Sequence, residues 1–434
     1  MPPPETRSAL RGSSRTVAPA VEERLAASIS RMLDSSNWRL VLWDGRATGP
    51  EDGAFTLTLR SPRALDRLVG ALPDRGFGRA YVAGELDVEP IRPFLEHVGP
   101  LRRRHLLATW PQLVRTAVAV GARPHVQPAE AAEARLRGRR HSRERDSAAV
   151  RHHYDVPVDF YRLWLDSSLT YSCAYYATTE DTLEAAQAAK LDIVCRKLRL
   201  QPGERLLDVG CGWGSLLAHS ARHYGVHASG ITLSPPQAEQ ARATAREQQL
   251  EERIDARVAD YRDHLGGPYD AIASIGMVEH VGERRMDEYV TALYRSLRPG
   301  GRLLLHGITS PADSESMRGS FVDAFHFPDS EVPEVGSLIS RLHRAGFEVR
   351  DVENLREHYA LTLDEWCRRM EARLEEVTAI AGPQRTRVWR LSMTASSMAF
   401  TSARRSLHQI LAVRNDASGR APVPLRREDW YGSD

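Results

Sequence analysis

The sequence feature that most constrains the fold is the stretch Glu-Arg-Leu-Leu-Asp-Val-Gly-Cys-Gly-Trp-Gly, residues 204–214. Its apolar run predicts a buried strand over Leu206–Val209, followed by a tight loop and a helix over Ser215–His223. Glycine lets the backbone turn sharply and approach a ligand, because no Cβ stands in the way. A glycine triplet alone fits a plain strand–turn–helix equally well, but Asp208 before the loop and Trp213 inside it favour a ligand-binding loop.

From about residue 149 onward, predicted strands alternate with predicted helices. This alternation indicates a doubly wound, mostly parallel α/β sheet, in which ligands lie at the carboxyl ends of the strands. Within such a sheet the glycine loop resembles the nucleoside-binding loop of S-adenosylmethionine (SAM) methyltransferases rather than a dinucleotide-binding loop. The predicted fold is therefore a Rossmann-like, class I SAM methyltransferase fold. The strands are predicted over 206–209, 227–232, 254–258, 269–275, 302–308, 348–353 and 407–413.

Composition shifts divide the chain into five predicted segments. The first is rich in Pro, Ser and Arg and is expected to be disordered. A smaller α+β domain for lipid or membrane docking comes next, in which residues 76–84 predict a glycine-punctuated turn and strand. An Arg-rich linker, the catalytic domain and a polar tail complete the chain. The predicted bounds are 1–20, 21–125, 126–148, 149–414 and 415–434.

Two basic stretches of the N-terminal region leave alternatives open. Residues 101–125 have the pattern of an amphipathic helix with arginines among its apolar residues. The simpler interpretation is a helix that packs on its own domain, and the alternative is a helix that lies on an anionic lipid surface. The Arg-dense residues 127–148 lack an apolar face, which favours a flexible linker or a basic hinge near a membrane.

Charge and cysteine content limit the possible functions. The net charge of +2 over 434 residues gives no general argument for a nucleic-acid partner. The four cysteines lack metal-ligand spacing, so no metal site is predicted, and reduced thiols in a cytoplasmic protein are expected. Neither a signal peptide nor an apolar run long enough to span a membrane is predicted, which leaves contact with a membrane surface open. Lys190 and Lys197 are the chain's only lysines, which we attribute to compositional bias.

Polar side chains follow the predicted strands, where a ligand is expected. Gln237 is the nearest side chain able to hold ribose hydroxyls, and the Asp-Tyr pair at 260–261 suits an adenine ring as well as it suits a capped turn. Glu279 and His306 are placed by the topology beside one cleft, where they could orient a small anion or relay a proton. Taken singly, each residue has a simpler interpretation: Glu279 as a surface acid, His306 as a core histidine and Cys173 as an inert buried thiol.

Taken in their order along the chain, the motifs resemble those of the cyclopropane-fatty-acyl-phospholipid synthase family, which includes the mycolic acid cyclopropane synthases. The resemblance covers about 149–414, and residues 75–85 also resemble the family's N-terminal domain, which the shorter mycolic acid enzymes lack. The segments that carry the resemblance are 153–155, 171–175, 207–214, 232–237, 260–263, 279–282, 304–306, 327–328 and 359–363.

The resemblance implies transfer of the SAM methyl carbon to the double bond of an unsaturated phospholipid acyl chain. The resulting carbocation loses a proton to a base, for which the family holds bicarbonate, inside a channel that excludes water. The residues implied to hold bicarbonate, and hence to be catalytic, are Cys173, Glu279, His306, Ile308 and Tyr359. The residues implied to bind SAM are Tyr171, Ser172, Asp208, Gly210, Cys211, Gly212, Trp213, Gly214, Thr232, Leu233, Gln237, Asp260 and Tyr261.

The resemblance also implies partners and a location. A homodimer is expected, peripherally associated with the inner face of the membrane, without a nucleic-acid partner. Methylation of a soluble small molecule is an alternative function. A catalytically silent lipid- or SAM-binding protein is another alternative, but it predicts loss of Cys173, Glu279 or His306, and all three are present.

Three departures from the family pattern leave the product open. They are at 156–158, at Gly307, where threonine often follows the histidine, and at 321–329. The cation could close to a cyclopropane or leave a methylene branch, which a reductase partner would then reduce. Asp323 and His326 could tune that choice, although a salt contact within a lid over 310–336 is the simpler role for each.

Overall fold

The computed structural model describes residues 21–71, 73–99, 103–123, 131–154, 156–312, 314, 316–421 and 423–427. The chain divides into two compact units, 1–128 and 129–434. The predicted disordered segment 1–20 lies outside the described residues.

The first unit is α+β, as predicted. Its described strands form a four-stranded sheet in the order β2-β1-β3-β4, with β1 and β3 parallel and the other pairs antiparallel. The strands are β1 (Arg39–Val41), β2 (Ala47–Thr48), β3 (Thr56–Leu59) and β4 (Leu86–Glu89). The helices are α1 (Val21–Leu33), α2 (Arg63–Val69), α3 (Pro73–Val82), α4 (Ile91–Val98) and α5 (Arg103–Ala119).

The glycine-punctuated turn and strand predicted over 76–84 is wrong. These residues lie mostly in helix α3. A Cβ on Gly76 would come within 2.5 Å of the carbonyl oxygen of Leu68 on helix α2. Glycine is therefore needed here for the close approach of two helices rather than for a turn.

Helix α5 accounts for the amphipathic stretch predicted over 101–125. Leu113 and Ala117 are buried, and Thr116 hydrogen-bonds Ser28 of α1 at 2.9 Å. One face of the helix thus packs on its own domain, as the simpler interpretation expected. Within the described residues, no helix combines the length and the apolar character needed to cross a bilayer.

The second unit contains a seven-stranded sheet in the order β10-β11-β9-β8-β5-β6-β7 within its described residues. The strands are β5 (Arg205–Val209), β6 (His227–Thr232), β7 (Ile254–Val258), β8 (Tyr269–Ile275), β9 (Leu297–Thr309), β10 (Glu348–Asn354) and β11 (Ser406–Val413). The helices are α6 (Arg143–Tyr154), α7 (Val158–Arg162), α8 (Leu183–Lys197), α9 (Ser215–Tyr224), α10 (Pro235–Glu247), α11 (Val278–Val281), α12 (Met286–Ser296), α13 (Phe321–Phe325), α14 (Val335–Ala345), α15 (Arg356–Ala372), α16 (Leu374–Ala381) and α17 (Pro383–Thr401), with a 3-10 helix over Glu283–Arg285.

The parallel part of this sheet positions the site. Strands β5 to β9 pair in parallel, so their carboxyl ends meet at one edge. Strand β11 runs antiparallel between β9 and β10, which brings residues of the last strand beside the end of β9. Leu206 and Leu207 point to opposite faces of the sheet, where each belongs to a separate apolar core.

The described part of the Arg-rich stretch, 131–148, lies in the second unit rather than between two domains. Arg140 and Arg145 form ion pairs with Asp329, and helix α6 begins at Arg143. The second unit therefore begins before this stretch. Its arginines pair with carboxylates far along the chain, and the local sequence does not reveal such partners.

Candidate active site

The glycine loop is held against strand β6. The N–H of Gly210 donates to the carbonyl of Ile231 at 2.9 Å. Gly210, Gly212 and Gly214 have φ angles of +87°, +53° and +90°, a region that disfavours any residue with a Cβ. A Cβ on Gly214 would lie 2.7 Å from that of Ala241, whereas one on Gly212 would meet nothing within 4 Å. Gly214 is thus required for packing, and Gly212 borders open space.

Two buried, oppositely charged groups stand next to the loop. Asp208 is buried, and one of its carboxylate oxygens has no hydrogen-bond partner in the described ranges of the chain. Burial raises the pKa of Asp208 to about 7, an effect that Lys190 opposes, and burial lowers the pKa of Lys190 to about 8. Lys190 Nζ donates to Ser172 Oγ at 2.8 Å, and the amide of Gln187 donates to the carbonyl of Ser172 at 2.8 Å. Helix α8 therefore holds the segment 171–172.

The end of β6 presents a threonine–glutamine pair. Thr232 Oγ1 accepts from the N–H of Ser234 at 3.1 Å and donates to Gln237 Oε1 at 2.7 Å. Because the amide oxygen of Gln237 is occupied in this way, its NH2 group is the end suited to a ligand hydroxyl. Cys211 is buried under the loop, and Leu233 is half-buried.

The two predicted residues at the end of β7 differ in their contacts. Asp260 binds the guanidinium of Arg262 at 2.7 and 2.6 Å, and Arg262 also binds Asp146 at 3.0 Å. These contacts fit the capped-turn interpretation of Asp260. The hydroxyl of Tyr261 is buried without a hydrogen-bond partner from any described residue, and burial raises its pKa to about 12. Tyr261 is thus the neutral donor at this strand end.

Aromatic rings surround the predicted SAM-binding tyrosine. The ring centroid of Tyr171 lies 5.2 Å from that of Trp366 and 5.7 Å from that of His153. Trp213 of the glycine loop lies 4.5 Å from Tyr161. These contacts form a largely apolar wall on one side of the site. Further rings in the same cluster are Tyr154, Phe160, Trp164 and Trp389.

Cys173 and Tyr359 are both neutral donors in the interior. The Cys173 thiol is fully buried and donates to the carbonyl of Ala174 at 3.1 Å, and burial raises its pKa. Burial also raises the pKa of Tyr359 well above its ordinary value, with smaller contributions from Cys173 and Glu279. The carbonyl of Leu355 accepts from the Cys173 thiol at 3.9 Å and from the N–H of Tyr359 at 3.1 Å, so the structure places these two predicted residues side by side.

Glu279 turns from helix α11 toward strand β9. Its Oε1 accepts from the N–H of Ile308 at 2.7 Å, and its Oε2 is buried with no hydrogen-bond partner among the described residues. Burial raises the pKa of Glu279 to about 7, which the N–H of Ile308 opposes. A Cβ on Gly307 would overlap Cγ2 of Val278 and lie 3.7 Å from both carboxylate oxygens of Glu279. The glycine that departs from the family pattern therefore leaves room for the Val278 side chain, next to this carboxylate.

His306 faces the last strand. It lies opposite Gln409 in the β9–β11 pair, with 3.1 Å between its Nδ1 and the Gln409 side-chain nitrogen. Its Nε2 is buried and has no hydrogen-bond partner within the part of the chain that the structure describes. Burial lowers the pKa of His306 far below its ordinary value, helped by the charges of Lys190 and Lys197. The imidazole is therefore neutral.

The donors and acceptors of the site fit the two implied ligands. Buried polar groups ordinarily have hydrogen-bond partners, so the unpartnered atoms of Asp208, Tyr261, Glu279 and His306 are candidate ligand contacts. The first two, with the open space at Gly212, suit a nucleoside such as SAM. The acceptor on Glu279 and the ring nitrogen of His306 suit a small anion that carries a proton, such as bicarbonate.

The salt contacts expected of Asp323 and His326 are wrong for the described residues. Asp323 accepts from the N–H groups of Gly319 and Asp329 at 2.7 and 3.0 Å, so it closes a loop. His326 is buried with its ring 4.7 Å from that of Trp389, and burial lowers its pKa to about 3. An uncharged ring in this position cannot form a salt bridge.

Sequence analysis missed the polar groups behind the site. Gln187, Lys190, Lys197 and Gln409 are all buried and hydrogen-bond predicted site residues or one another. One signal in the sequence is that both lysines of the chain lie in one predicted helix. Compositional bias does not explain why both of these lysine side chains are buried.

Comparisons with known proteins agree with this geometry. The family model described as mycolic acid cyclopropane synthetase matches residues 141–410. A probable fatty acid methyltransferase of Mycobacterium tuberculosis is 37% identical over 407 residues, which cover 91% of this chain and 94% of that protein. A probable fatty acid methyltransferase of Pseudomonas putida is 36% identical over 400 residues, covering 91% and 96%. The crystal structure of mycolic acid cyclopropane synthase CmaA1 complexed with SAH and CTAB is 32% identical, with a TM-score of 0.59, and covers 62% of this chain and 98% of its own.

Proposed function

The chain belongs to the mycolic acid cyclopropane synthetase family and is a SAM-dependent methyltransferase, and from this premise we propose that it adds a one-carbon unit to the double bond of an unsaturated phospholipid acyl chain. The observation that carries the proposal is the pair of unpartnered, buried polar atoms on Glu279 and His306. A methyltransferase acting on an oxygen or nitrogen nucleophile has less need for a buried anion site, whereas a carbocation needs a base.

The residues around the glycine loop would hold SAM, which supplies a methyl carbon activated by the positive sulfonium. The N–H groups at the start of α9 and the open space at Gly212 suit close approach of the cofactor. Gln237 and Tyr261 offer an amide NH2 and a hydroxyl at neighbouring strand ends. Ser172, fixed by Lys190, would orient the cofactor from the opposite segment.

The residues around Glu279 would hold bicarbonate, which supplies the base for the substrate proton. Glu279 Oε2 would accept the bicarbonate hydroxyl, and His306 Nε2 would bind a bicarbonate oxygen. Cys173 and Tyr359 are neutral, so they add no negative charge that would repel the anion. The N–H of Ile308 orients Glu279, which is a different role from direct bicarbonate binding.

The aromatic wall would protect the cation on the acyl chain. Water would trap the cation as an alcohol, and buried rings exclude water. The faces of tryptophan and tyrosine also attract positive charge. Tyr171, Trp213 and Trp366 stand close to the predicted cofactor residues and would act in this way.

The membrane is the proposed source of the acyl substrate. We extend the proposal to peripheral association with the inner membrane face in the cytoplasm, supported by the substrate class and by the basic residues of 102–145. We extend it also to a homodimer, which the resemblance alone supports. A methylene product would need a reductase partner, whereas a cyclopropane would not.

The deciding experiment is mass spectrometry of lipids from an oleate-producing host that expresses this chain. A gain of one CH2 in unsaturated phospholipid chains is expected, and NMR would then place the carbon in a ring or in an exocyclic methylene. Purified enzyme should prefer oleoyl phospholipid in liposomes over free oleate.

Two results would contradict the proposal. Intact SAM binding with no added carbon would favour a silent binding protein. Transfer to a soluble compound, with none to liposomes, would favour the small-molecule alternative. The variant His306→Ala serves as the control, because it should bind SAM yet give no modified lipid.

A further inference from the structure

The two lysines of the chain occupy unusual positions. Every other permanently cationic side chain is arginine, yet Lys190 and Lys197 are 1% and 0% exposed. Lysine carries a compact ammonium with three donors, and the larger planar guanidinium of arginine cannot replace it in a closed space. A chain that otherwise uses arginine therefore has lysine where a buried point donor is needed.

Lys197 forms the centre of a buried polar chain. It is ion-paired with Glu353 and donates to Gln409 Oε1 at 2.6 Å. Glu353 also accepts from the hydroxyl of Tyr175 at 3.3 Å. Gln409 in turn lies between Lys197 and His306, with its nitrogen 3.1 Å from the ring Nδ1. Each contact joins side chains from a different helix, strand or loop.

The direction of these hydrogen bonds is fixed by chemistry. An ammonium group can only donate, so Gln409 must turn its amide oxygen toward Lys197. The amide NH2 then faces His306, and because it can only donate, Nδ1 must accept. A neutral imidazole that accepts at Nδ1 carries its proton at Nε2. The orientation of the amide is thus determined by Lys197.

We propose that Lys197 and Gln409 are positioning residues that hold the His306 proton at Nε2, so that the ring donates a hydrogen bond into the active site. The second ring nitrogen is the unpartnered one, so this tautomer presents a donor to an anionic ligand. The positive charge of Lys197 also disfavours a second proton on the ring. The effect on turnover rests on the proposed function, whereas the tautomer does not.

The variant Gln409→Glu reverses the arrangement while preserving shape. A carboxylate still accepts from Lys197, but it presents an acceptor to His306 and draws the ring proton to Nδ1. Nitrogen NMR of histidine-labelled enzyme, with His306 assigned from the spectrum of His306→Gln, distinguishes the two tautomers directly. Wild type should show the proton at Nε2, and Gln409→Glu should show it at Nδ1.

Activity adds a second readout. We expect kcat to fall by about 10- to 100-fold in Gln409→Glu, as for other groups that orient a functional histidine, with SAM affinity unchanged. Lys197→Met, which removes the donor that fixes the amide, should give a mixture of tautomers. His408→Gln is the matched control on the same strand, since His408 contacts Thr309 rather than His306, and it should behave as wild type.

The possible outcomes are distinguishable. A wild-type proton at Nδ1, or an unchanged tautomer in Gln409→Glu, would overturn the proposal. So would a reversed tautomer with wild-type kcat. If wild type transfers no carbon to lipid, the proposed function fails while the wild-type spectrum still decides the tautomer. If Gln409→Glu does not fold, the spectra of wild type and Lys197→Met decide it.

Discussion

The two halves of the candidate site are built in different ways. The half around the glycine loop is formed by a contiguous stretch, 208–214, whose backbone conformation determines its shape. The half around Glu279 and His306 is formed by buried side chains that meet only in the folded protein, such as His306 and Gln409, which are 103 residues apart. The first half should therefore be sensitive to backbone conformation, and the second to charge and protonation.

The largest effect should follow from neutralising Glu279. Glu279→Gln keeps an oxygen that accepts from Ile308 but removes the charge, so kcat should fall by about 10²- to 10⁴-fold. The glycine loop is untouched, so the SAM dissociation constant, measured by calorimetry, should stay within about threefold of wild type, less than 1 kcal/mol.

Glu288→Gln is the matched control for that variant. Glu288 pairs with Arg285 at the surface and should have wild-type kcat, because exposed ion pairs contribute little. If Glu279→Gln lost SAM affinity in parallel with kcat, the two halves would not be separable as proposed.

The substitution Glu279→Gln should also stabilise the folded protein at high pH. Burial raises the pKa of Glu279 from 4.5 to about 7, so the folded state retains a proton that the unfolded state releases between these values. The contribution of Glu279 to stability is therefore lost as pH rises through this window.

Glutamine does not titrate, so the free energy of unfolding of Glu279→Gln should exceed that of wild type by up to about 3 kcal/mol at pH 8 and match it near pH 4.5. Denaturant unfolding of both proteins at the two pH values measures this difference. The other titratable groups are the same in both proteins, so their contributions to the pH dependence cancel. A pH-independent difference would show that the buried carboxylate is not the cause.

Backbone space also matters in the second half, at Gly307. Gly307→Ala places a Cβ against Val278 and should lower the free energy of unfolding by about 1–3 kcal/mol through overpacking. Val278→Ala removes the obstructing methyl group, so the double variant should recover at least about 1 kcal/mol relative to the sum of the single variants. Additive effects in this double-mutant cycle would exclude the overlap as the cause.

The difference between the halves explains what could be predicted from the sequence. The parallel strands and the glycine loop follow from local patterns, because hydrophobic alternation and glycine spacing act within a few residues. The sequence pattern does not predict the helix over 73–82, because glycine is ordinarily a turn signal. Gly76 is instead needed for contact with Leu68, which is a tertiary feature.

Glu279 and His306 were predicted from their place beside one cleft at the carboxyl ends of the strands, and the resemblance supplied their roles. Gln409 has no local signature, and Lys197 stands out only by the rarity of lysine. Their role depends on the β9–β11 register and on the position of helix α8. Likewise, Asp323 and His326 were assigned salt contacts from residue type alone, although burial leaves His326 uncharged.

The smallest effect is expected from alanine substitutions at two glycines of the loop, Gly212 and Gly214, which should act in different ways. Gly212→Ala incurs the cost of a left-handed conformation, about 1–2 kcal/mol, but its Cβ meets no protein atom within 4 Å. It would occupy the space assigned to SAM, so the dissociation constant should rise about tenfold, equal to 1.4 kcal/mol. Gly214→Ala, which would press on Ala241, should instead lose more stability than SAM affinity when both are measured at one temperature. Equal losses of affinity in the two variants would mean that the loop acts only through its fold, and that the open space at Gly212 is not where the cofactor binds.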